Sequence, residues 1–301
     1  MLADLTQNIS TAESPERLCV IVIDSLLFNT ANMFLKNKNA IVYGAGGSLG
    51  GAVAKALADA GAKVYLTGRN TNSVQKVANK ILESGGKSEV DKVDAMNEKE
   101  INDHIKGVKQ KAGSVDISFN AIGIEVVMNI PLADMSVDDY VSPITQTMQT
   151  LFLTAKAAAK IMIEQRSGVI LTLTATPGGI GYPYTGGFAP ACCAVENFSR
   201  NLALELGIYG IRVINIRSGG SPDSSVFKNA IDADPENMKR VIKGMEADTM
   251  LKKLPLMNDI ANVAVFLASD MAEKITGVTV DVSSGTTSGL NYRVTPLSVN
   301  K

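Results

Sequence analysis

The chain has 301 residues, of which 46% are apolar and 20% are charged. This composition excludes disordered, collagen-like and coiled-coil proteins and is typical of a globular protein with a full-sized core. The 29 basic and 30 acidic residues nearly balance, so no overall charge attracts nucleic acid or an anionic membrane, and we predict neither as a partner.

Three cysteines are an odd number, which favours free thiols in a reducing compartment, and we predict a cytoplasmic location. The apolar run at 18–23 is short and ends at Asp24, so we expect neither a signal peptide nor a membrane-spanning helix there.

From residue 38 onward, short apolar runs alternate with stretches of helical period. Predicted strands lie at 40–43, 63–67, 88–93, 116–120, 168–174, 211–217 and 278–282. Between them, apolar residues recur at three- and four-residue spacing, as on the buried face of a helix. The pattern predicts an α/β protein of the Rossmann type, with a doubly wound, seven-stranded parallel sheet and helices on both faces.

We expect one domain at 38–290, preceded by an extension at 1–37 and followed by a tail at 291–301. The segment 218–257, rich in Gly and Met, follows the sixth strand and is predicted to be a mobile lid. Long apolar helices at 141–163 and 193–206 suggest a second buried face on another subunit, and hence a homo-oligomer, a dimer or tetramer. The only histidine, His104, falls on a polar helix and is predicted to be solvated, and no metal site is expected.

A glycine-rich loop at 43–50 follows the first strand and opens the first helix. Such a loop lets the backbone approach a diphosphate at a helix N-terminus, so we predict a dinucleotide site. Its candidate binding residues share this loop: Gly44, Gly46, Ser48, Leu49 and Gly50.

The second strand is followed by Gly68 and Arg69, where an acidic residue would select NAD(H). Arg69 offers a guanidinium for a 2′-phosphate, so NADP(H) is the predicted cofactor, the alternative being that Arg69 is a solvated surface residue.

Together with residues 120–123 after the fourth strand, which read Asn-Ala-Ile-Gly, the glycine pattern resembles that of the short-chain dehydrogenase/reductase family over about residues 38–290. Tyr43 stands for the family's Thr and Ser48 for its middle Gly. The resemblance adds further cofactor-binding candidates after the third and fourth strands: Asp94, Ala95, Asn120 and Gly123.

The resemblance also assigns positions to the family's catalytic Asn, Ser, Tyr and Lys, and all four are substituted: Thr147, Ala175, Phe188 and Cys192. In the related enoyl-acyl carrier protein reductases the tyrosine stands earlier, at a position occupied here by Thr185. Standard catalysis by this family is therefore not expected.

Five residues near these positions are candidate replacements for the missing proton donor: Tyr184, Thr174, Tyr182, Thr176 and Cys192. Ordinary packing is the alternative for each. The first hypothesis is an oxidoreductase with a non-standard donor that acts on an unidentified small molecule bearing a carbonyl, alcohol or enone. The second is a catalytically inactive NADP(H)-binding regulatory or structural subunit, and the third is a non-redox enzyme such as an isomerase or cyclase.

Overall fold

A computed structural model describes residues 33–289. One parallel sheet of seven strands organises this part of the chain, in the order β3-β2-β1-β4-β5-β6-β7. The strands are β1 (Asn39–Tyr43), β2 (Lys63–Gly68), β3 (Lys87–Lys92), β4 (Ile117–Asn120), β5 (Gly168–Ala175), β6 (Ile211–Ser218) and β7 (Thr279–Val282). The predicted α/β fold with its seven parallel strands is confirmed, and each predicted strand lies within one residue of the observed one at either end.

Helices cover both faces of the sheet. In chain order they are α1 (Ser48–Asp59), α2 (Thr71–Glu83), α3 (Glu98–Ala112), α4 (Val137–Gln165), α5 (Phe188–Leu206), α6 (Ser225–Ala233), α7 (Pro235–Asp248) and α8 (Met257–Ala268). Helices α1, α2 and α8 bury their apolar residues in one core, and α3, α4 and α5 bury theirs in a second core on the opposite face.

The strand order reverses between β1 and β4, which are neighbours in the sheet although two strands separate them in sequence. Ligands of open parallel sheets bind outside the carboxyl ends of the strands at such a reversal. The fold thus places a crevice directly after Tyr43 and Asn120, the last residues of the two strands.

Packing begins before the predicted domain boundary at residue 38. Leu35 is fully buried in the first core, and its backbone N–H donates to the carbonyl of Ala60. The rest of the predicted extension, residues 1–32, and the predicted tail lie outside the described residues.

The two edge strands differ in character. Strand β3 carries charged side chains along most of its length, namely Lys87, Glu89, Asp91 and Lys92. Strand β7, at the other edge, has one charged residue, Asp281.

The prediction for His104 is wrong. Its side chain is only 6% exposed and packs edge-on against the ring of Tyr43, with the ring centroids 6.5 Å apart. The helical period explains this position: His104 lies three residues after Ile101 and four before Val108, both buried on the sheet-facing side of α3.

None of the helices in residues 33–289 combines the length and apolar character needed to cross a bilayer. Within the same residues, no three His, Cys, Asp or Glu side chains come together in a group that could hold a metal ion.

Leu57→Ala tests the first core. Leu57 is 0% exposed on α1, so the truncation should lower the free energy of unfolding by about 2–5 kcal/mol through lost burial and a residual cavity. Leu251→Ala, at a site 72% exposed, is the matched control and should change it by less than about 0.5 kcal/mol. Urea unfolding followed by circular dichroism measures both, and equal losses would contradict the assigned core.

Candidate functional site

The glycine loop turns sharply off the end of β1. Gly44 has a left-handed backbone, with φ at +77°, and a Cβ there would lie 2.6 Å from the carbonyl oxygen of Ala121. The backbone N–H groups of Gly44 and Ala45 both donate to the carbonyl of Thr67 on β2, at 3.1 and 3.0 Å. A side chain at position 44 would therefore need both a strained backbone and a displaced neighbouring strand end.

The loop leads directly into α1, which begins without a side-chain cap because Gly47 occupies the N-cap. Two other glycines allow close packing here: a Cβ on Gly50 would collide with the carbonyl of Gly44, and one on Gly46 with the hydroxyl of Ser73. Leu49 packs against the first core. The amide groups of an uncapped first turn carry partial positive charge, so the residues present suit a bound diphosphate.

Ser48 joins this loop to the segment predicted to be a lid. Its hydroxyl oxygen lies 2.7 Å from the hydroxyl of Ser225 and accepts a hydrogen bond from the Ser225 N–H at 2.8 Å. The serine that replaces the family's middle glycine thus makes a contact that glycine cannot. The segment 218–257 contains α6 and α7 and contacts the glycine loop through this pair of serines, whereas its mobility stays a prediction.

At the end of β2, Gly68 has little free space, since a Cβ there would lie 3.0 Å from a methyl group of Val74. Arg69 follows and is exposed, with no ion-pair partner within 4.0 Å among residues 33–289. The guanidinium is thus available at the point where the sequence predicted phosphate recognition.

Two more strand ends meet at the crevice. After β3, a side-chain oxygen of Asp94 accepts from the Met96 N–H at 3.0 Å, and Ala95 is buried. At the end of β4, the Asn120 side chain accepts from the Ile122 N–H at 3.1 Å and donates to Thr154 on α4 at 2.9 Å.

Gly123 completes the group after β4, and a Cβ on it would meet open space. All predicted cofactor residues therefore end or follow one of the four strands β1 to β4, on the side of the sheet where the carboxyl ends of the strands lie, although their binding role stays a prediction.

The four positions that the resemblance assigns to catalysis lie on three elements. Phe188 is the first residue of α5 and Cys192 lies one turn later, Ala175 ends β5, and Thr147 is half-buried on α4. Burial raises the pKa of the Cys192 thiol to about 11, although a backbone hydrogen bond from Ala175 acts in the opposite direction. A pKa that far above neutral pH makes the thiol a weak acid, which counts against Cys192 as a proton donor.

A buried charge cluster, which the sequence analysis missed, lies one turn beyond Cys192. Glu196 accepts two hydrogen bonds from Arg217 on β6, from Nε at 2.9 Å and from Nη2 at 2.6 Å. The third side of the guanidinium donates to Asp281 on β7 at 3.0 Å. The three residues belong to three different elements, so their contact leaves no local pattern in the sequence. The only signal was Glu196 itself, a carboxylate on a helix predicted to bury an apolar face.

Thr174 belongs to the same cluster. Its buried hydroxyl donates to Glu196 at 3.0 Å and accepts from the Asn215 amide at 2.8 Å. These bonds occupy the hydroxyl, which counts against Thr174 as a proton donor to a substrate. Thr176 is also buried, and its hydroxyl faces the carbonyl of Ser218.

The loop before α5 presents two tyrosines to solvent. Tyr184 is 55% exposed and has a left-handed backbone, with φ at 59°, and its carbonyl accepts from the Asn129 N–H at 2.8 Å. Tyr182 is also exposed, while Thr185 is buried and donates to the carbonyl of Tyr182 at 3.1 Å. A left-handed tyrosine persists only where its surroundings hold it, and such strain concentrates at functional sites.

Comparison with known proteins agrees with this architecture. Residues 44–287 match the family model described as Enoyl-(Acyl carrier protein) reductase. The chain is 32% identical over 252 residues to the 3alpha-hydroxysteroid dehydrogenase of Mediterraneibacter gnavus, covering 83% of this chain and 97% of that protein.

Two solved structures are also similar. Levodione reductase has a TM-score of 0.79 at 26% identity, covering 85% of this chain and 100% of that one. NAD+-bound xylitol dehydrogenase has a TM-score of 0.78 at 25% identity, covering 83% and 99%. The chain belongs to the short-chain dehydrogenase/reductase family, a family of oxidoreductases.

Gly44→Ala tests the loop. The added methyl group meets the Ala121 carbonyl and a left-handed backbone, so dinucleotide affinity should fall at least about tenfold, the equivalent of 1.4 kcal/mol. Nicotinamide fluorescence titration measures the affinity. Gly244→Ala, in open space on α7, is the control and should leave affinity unchanged while stabilising the helix by up to about 1 kcal/mol. Unchanged affinity in the folded Gly44 variant would contradict the role of the loop.

Proposed function

We propose that this chain is an NADP(H)-dependent oxidoreductase that acts on a carbonyl, alcohol or enone group of a small molecule and uses a proton donor other than the family's tyrosine. The observation that carries the proposal is the Gly44 turn followed by the uncapped start of α1, placed at the reversal of strand order. Membership of an oxidoreductase family supports the reaction class.

The residues present fit a nicotinamide dinucleotide. In this proposal the loop from Gly44 to Gly50 and the first turn of α1 hold the diphosphate, while Asp94 and Ala95 border the adenine. Asn120 supports the turn to Gly123, whose outer side is open. When bound, the cofactor supplies or accepts a hydride at the substrate carbon.

The preference for NADP(H) rests on the end of β2. Gly68 removes the carboxylate that would hold a ribose hydroxyl and repel a phosphate, and Arg69 is exposed beside it. A guanidinium binds phosphate in a bidentate manner. Since the similar xylitol dehydrogenase holds NAD+, the choice of dinucleotide in this chain is argued from these two residues alone.

A non-standard proton donor is proposed because the family's tyrosine and lysine positions hold Phe188 and Cys192. Phenylalanine has no proton to give. Glu196 and Arg217 act on Cys192, and Arg217 also pairs with Asp281, so this cluster of one guanidinium and two carboxylates has a net negative charge. A negative surrounding disfavours the phenolate that a lysine would stabilise.

Tyr184 is the proposed donor. Among the five candidates it combines an ionisable hydroxyl with exposure at the loop before α5, whereas Thr174, Thr176 and Cys192 are buried. The bond from Asn129 holds its backbone in an unusual conformation. Tyr182 shares the exposure without that backbone geometry, which makes it a suitable comparison.

The proposal extends to assembly and location. Exposed apolar side chains on α4, on α5 and just beyond it, such as Phe152, Leu204 and Ile208, support a homo-oligomer formed through these helices. The exposed Cys193 supports a reducing, cytoplasmic environment.

The first test compares NADPH with NADH. NADPH should bind more tightly, and Arg69→Ala should weaken NADPH binding by about 10- to 100-fold, because it removes hydrogen bonds worth roughly 1.5–3 kcal/mol to a charged phosphate. NADH affinity should change little in the variant. Fluorescence titration and thermal shift with both cofactors measure these effects.

The control is Lys76→Ala on α2, which removes a cation from the same region without touching the end of β2. Equal affinities for the two cofactors in the wild-type protein would contradict the NADP(H) assignment. Tight NADPH binding without cofactor oxidation by any member of a carbonyl and enone panel would contradict the oxidoreductase and favour the inactive binding subunit.

The second test is Tyr184→Phe. With a substrate found in that panel, kcat/KM for NADPH oxidation should fall by about 10²- to 10⁴-fold, the usual contribution of a general acid, while NADPH affinity stays the same. Tyr182→Phe is the matched control and should keep kcat/KM within a factor of about three of wild type, as a surface substitution usually does. Full activity of Tyr184→Phe would remove Tyr184 from the reaction.

A further inference from the structure

Unpaired polar groups concentrate at one place on the face of the sheet covered by α3. Within residues 33–289, the buried side-chain polar atoms without a hydrogen-bond partner are Oη of Tyr43, Oη of Tyr65 and both ring nitrogens of His104. The ring of Tyr43 contacts that of His104 edge-on. Buried polar groups in proteins nearly always have partners, so such a concentration points to a further molecule, either water or a ligand, as their partner.

A groove opens beside these side chains, between the edge strand β3 and helix α3. It has a volume of about 460 Å³ and is lined by Tyr65 and His104, together with the apolar side chains of Val93 and Val108. This volume lies in the range of small-molecule sites, roughly 300–1,000 Å³, but the groove is open to solvent rather than enclosed. Its walls contain none of the proposed cofactor residues, although Val93 directly precedes Asp94, so the groove adjoins the proposed cofactor site without sharing a residue with it.

Ion pairs neutralise much of the charge around the groove. Glu89 pairs with Lys63 at 2.6 Å and with Lys111, and Asp103 pairs with Lys99 at 2.5 Å. Hydrogen bonds from both lysines lower the pKa of Glu89, the bond from Lys111 having the larger effect. These carboxylates are therefore engaged by their own lysines.

Three more charged groups line the groove. Glu100 accepts from the Asp94 N–H at 2.8 Å, and Asp91 and Lys92 are neighbours at the end of β3. The lining holds four acidic side chains and two lysines, and two further lysines, Lys63 and Lys99, pair with Glu89 and Asp103. Counted with these paired lysines, the groove has no net charge to recruit an anion or a cation.

His104 is suited to recognise an uncharged group. Burial lowers its pKa, with Asp91 acting in the opposite direction, so the imidazole is neutral at physiological pH and offers one donor and one acceptor. Oδ2 of Asp91 stands 3.5 Å from Nε2, longer than a normal hydrogen bond. The hydroxyl of Tyr65 adds a further donor, while its oxygen faces the ammonium of Lys63, whose pKa is raised by Glu89 first and by Tyr65 next.

We propose that the groove between β3 and α3 binds a small uncharged molecule that carries hydroxyl or amide groups on an aromatic or apolar framework. Tyr65 and His104 supply the hydrogen bonds, and Val93 and Val108 supply the apolar contact. The proposed hydrogen-bonding and apolar residues of this site are distinct from the proposed cofactor and donor residues.

His104 gives a direct readout because it is the only histidine in the chain. The ring C–H resonances of the full-length protein are followed by NMR at pH 7.5 during titration with benzyl alcohol, benzoate and benzylamine, which share a ring and differ in charge. Benzyl alcohol should give saturable shifts in the millimolar range, and the two ions much smaller ones. The shifts should persist with NADPH at saturation.

Tyr65→Phe removes one unpaired hydroxyl and keeps the histidine probe, and it should weaken benzyl alcohol binding by about two- to tenfold. Tyr209→Phe, at a ring that instead contacts Arg166, is the control and should leave binding unchanged. Absence of a saturable shift with benzyl alcohol would overturn the proposal and would mean that the groove holds only water. Equal responses to the three probes, displacement by NADPH, or unchanged binding in Tyr65→Phe would overturn it as well.

Discussion

The reversal of strand order between β1 and β4 is the constraint on which the candidate site depends. Strand β1 is buried along its whole length, and parallel crossovers leaving it and β4 must pass to opposite faces of the sheet. The segments that leave β1 and β4 therefore separate at the carboxyl ends of these strands. Between them lies a crevice that the side chains of neither core fill. Gly44, Arg69, Asp94 and Asn120 come together there because each follows, or ends, one of four adjacent strands.

The second organising element is the guanidinium of Arg217, held between Glu196 and Asp281. Removing three charges from water is costly, and the bidentate geometry to Glu196 is what makes such an arrangement tolerable. The turn over the cluster is closely fitted, since a Cβ on Gly178 would collide with Glu196 and one on Gly179 would lie 2.6 Å from Arg217. The cluster therefore joins α5 to the carboxyl ends of β5, β6 and β7.

Much of this architecture could be predicted from the sequence because its signals are local. Apolar runs and glycine positions located the strands and the loop at Gly44, since strand propensity and a left-handed turn depend on adjacent residues. The Arg217 cluster could not be predicted, because Glu196, Arg217 and Asp281 are brought together only by the packing of α5 against β6 and by the pairing of β6 with β7. Sequence separation hides such a contact entirely.

His104 is a different case, because the helical periodicity that indicates its burial is present in the sequence but was outweighed by the polar character of its neighbours. Its neighbours in α3 are charged, which favoured a solvated position, yet Ile101, Ile105 and Val108 define a face that includes residue 104. Periodicity should have prevailed over composition there. The exposed fraction of Tyr184, in contrast, depends on how the loop at Asn129 crosses it, and no local pattern encodes that crossing.

The charged edge of the sheet has a consequence for how the molecule behaves in concentrated solution. An edge strand offers unpaired amide and carbonyl groups to any other strand, and β3 surrounds those groups with Lys87, Glu89, Asp91 and Lys92. An incoming strand would have to strip water from these side chains, so open-ended stacking of sheets is blocked at this edge. A fibre of paired sheets needs a free edge strand on both sides of each molecule. Because the β3 edge resists pairing, such a fibre cannot extend, and the fold is thereby protected against fibrous aggregation.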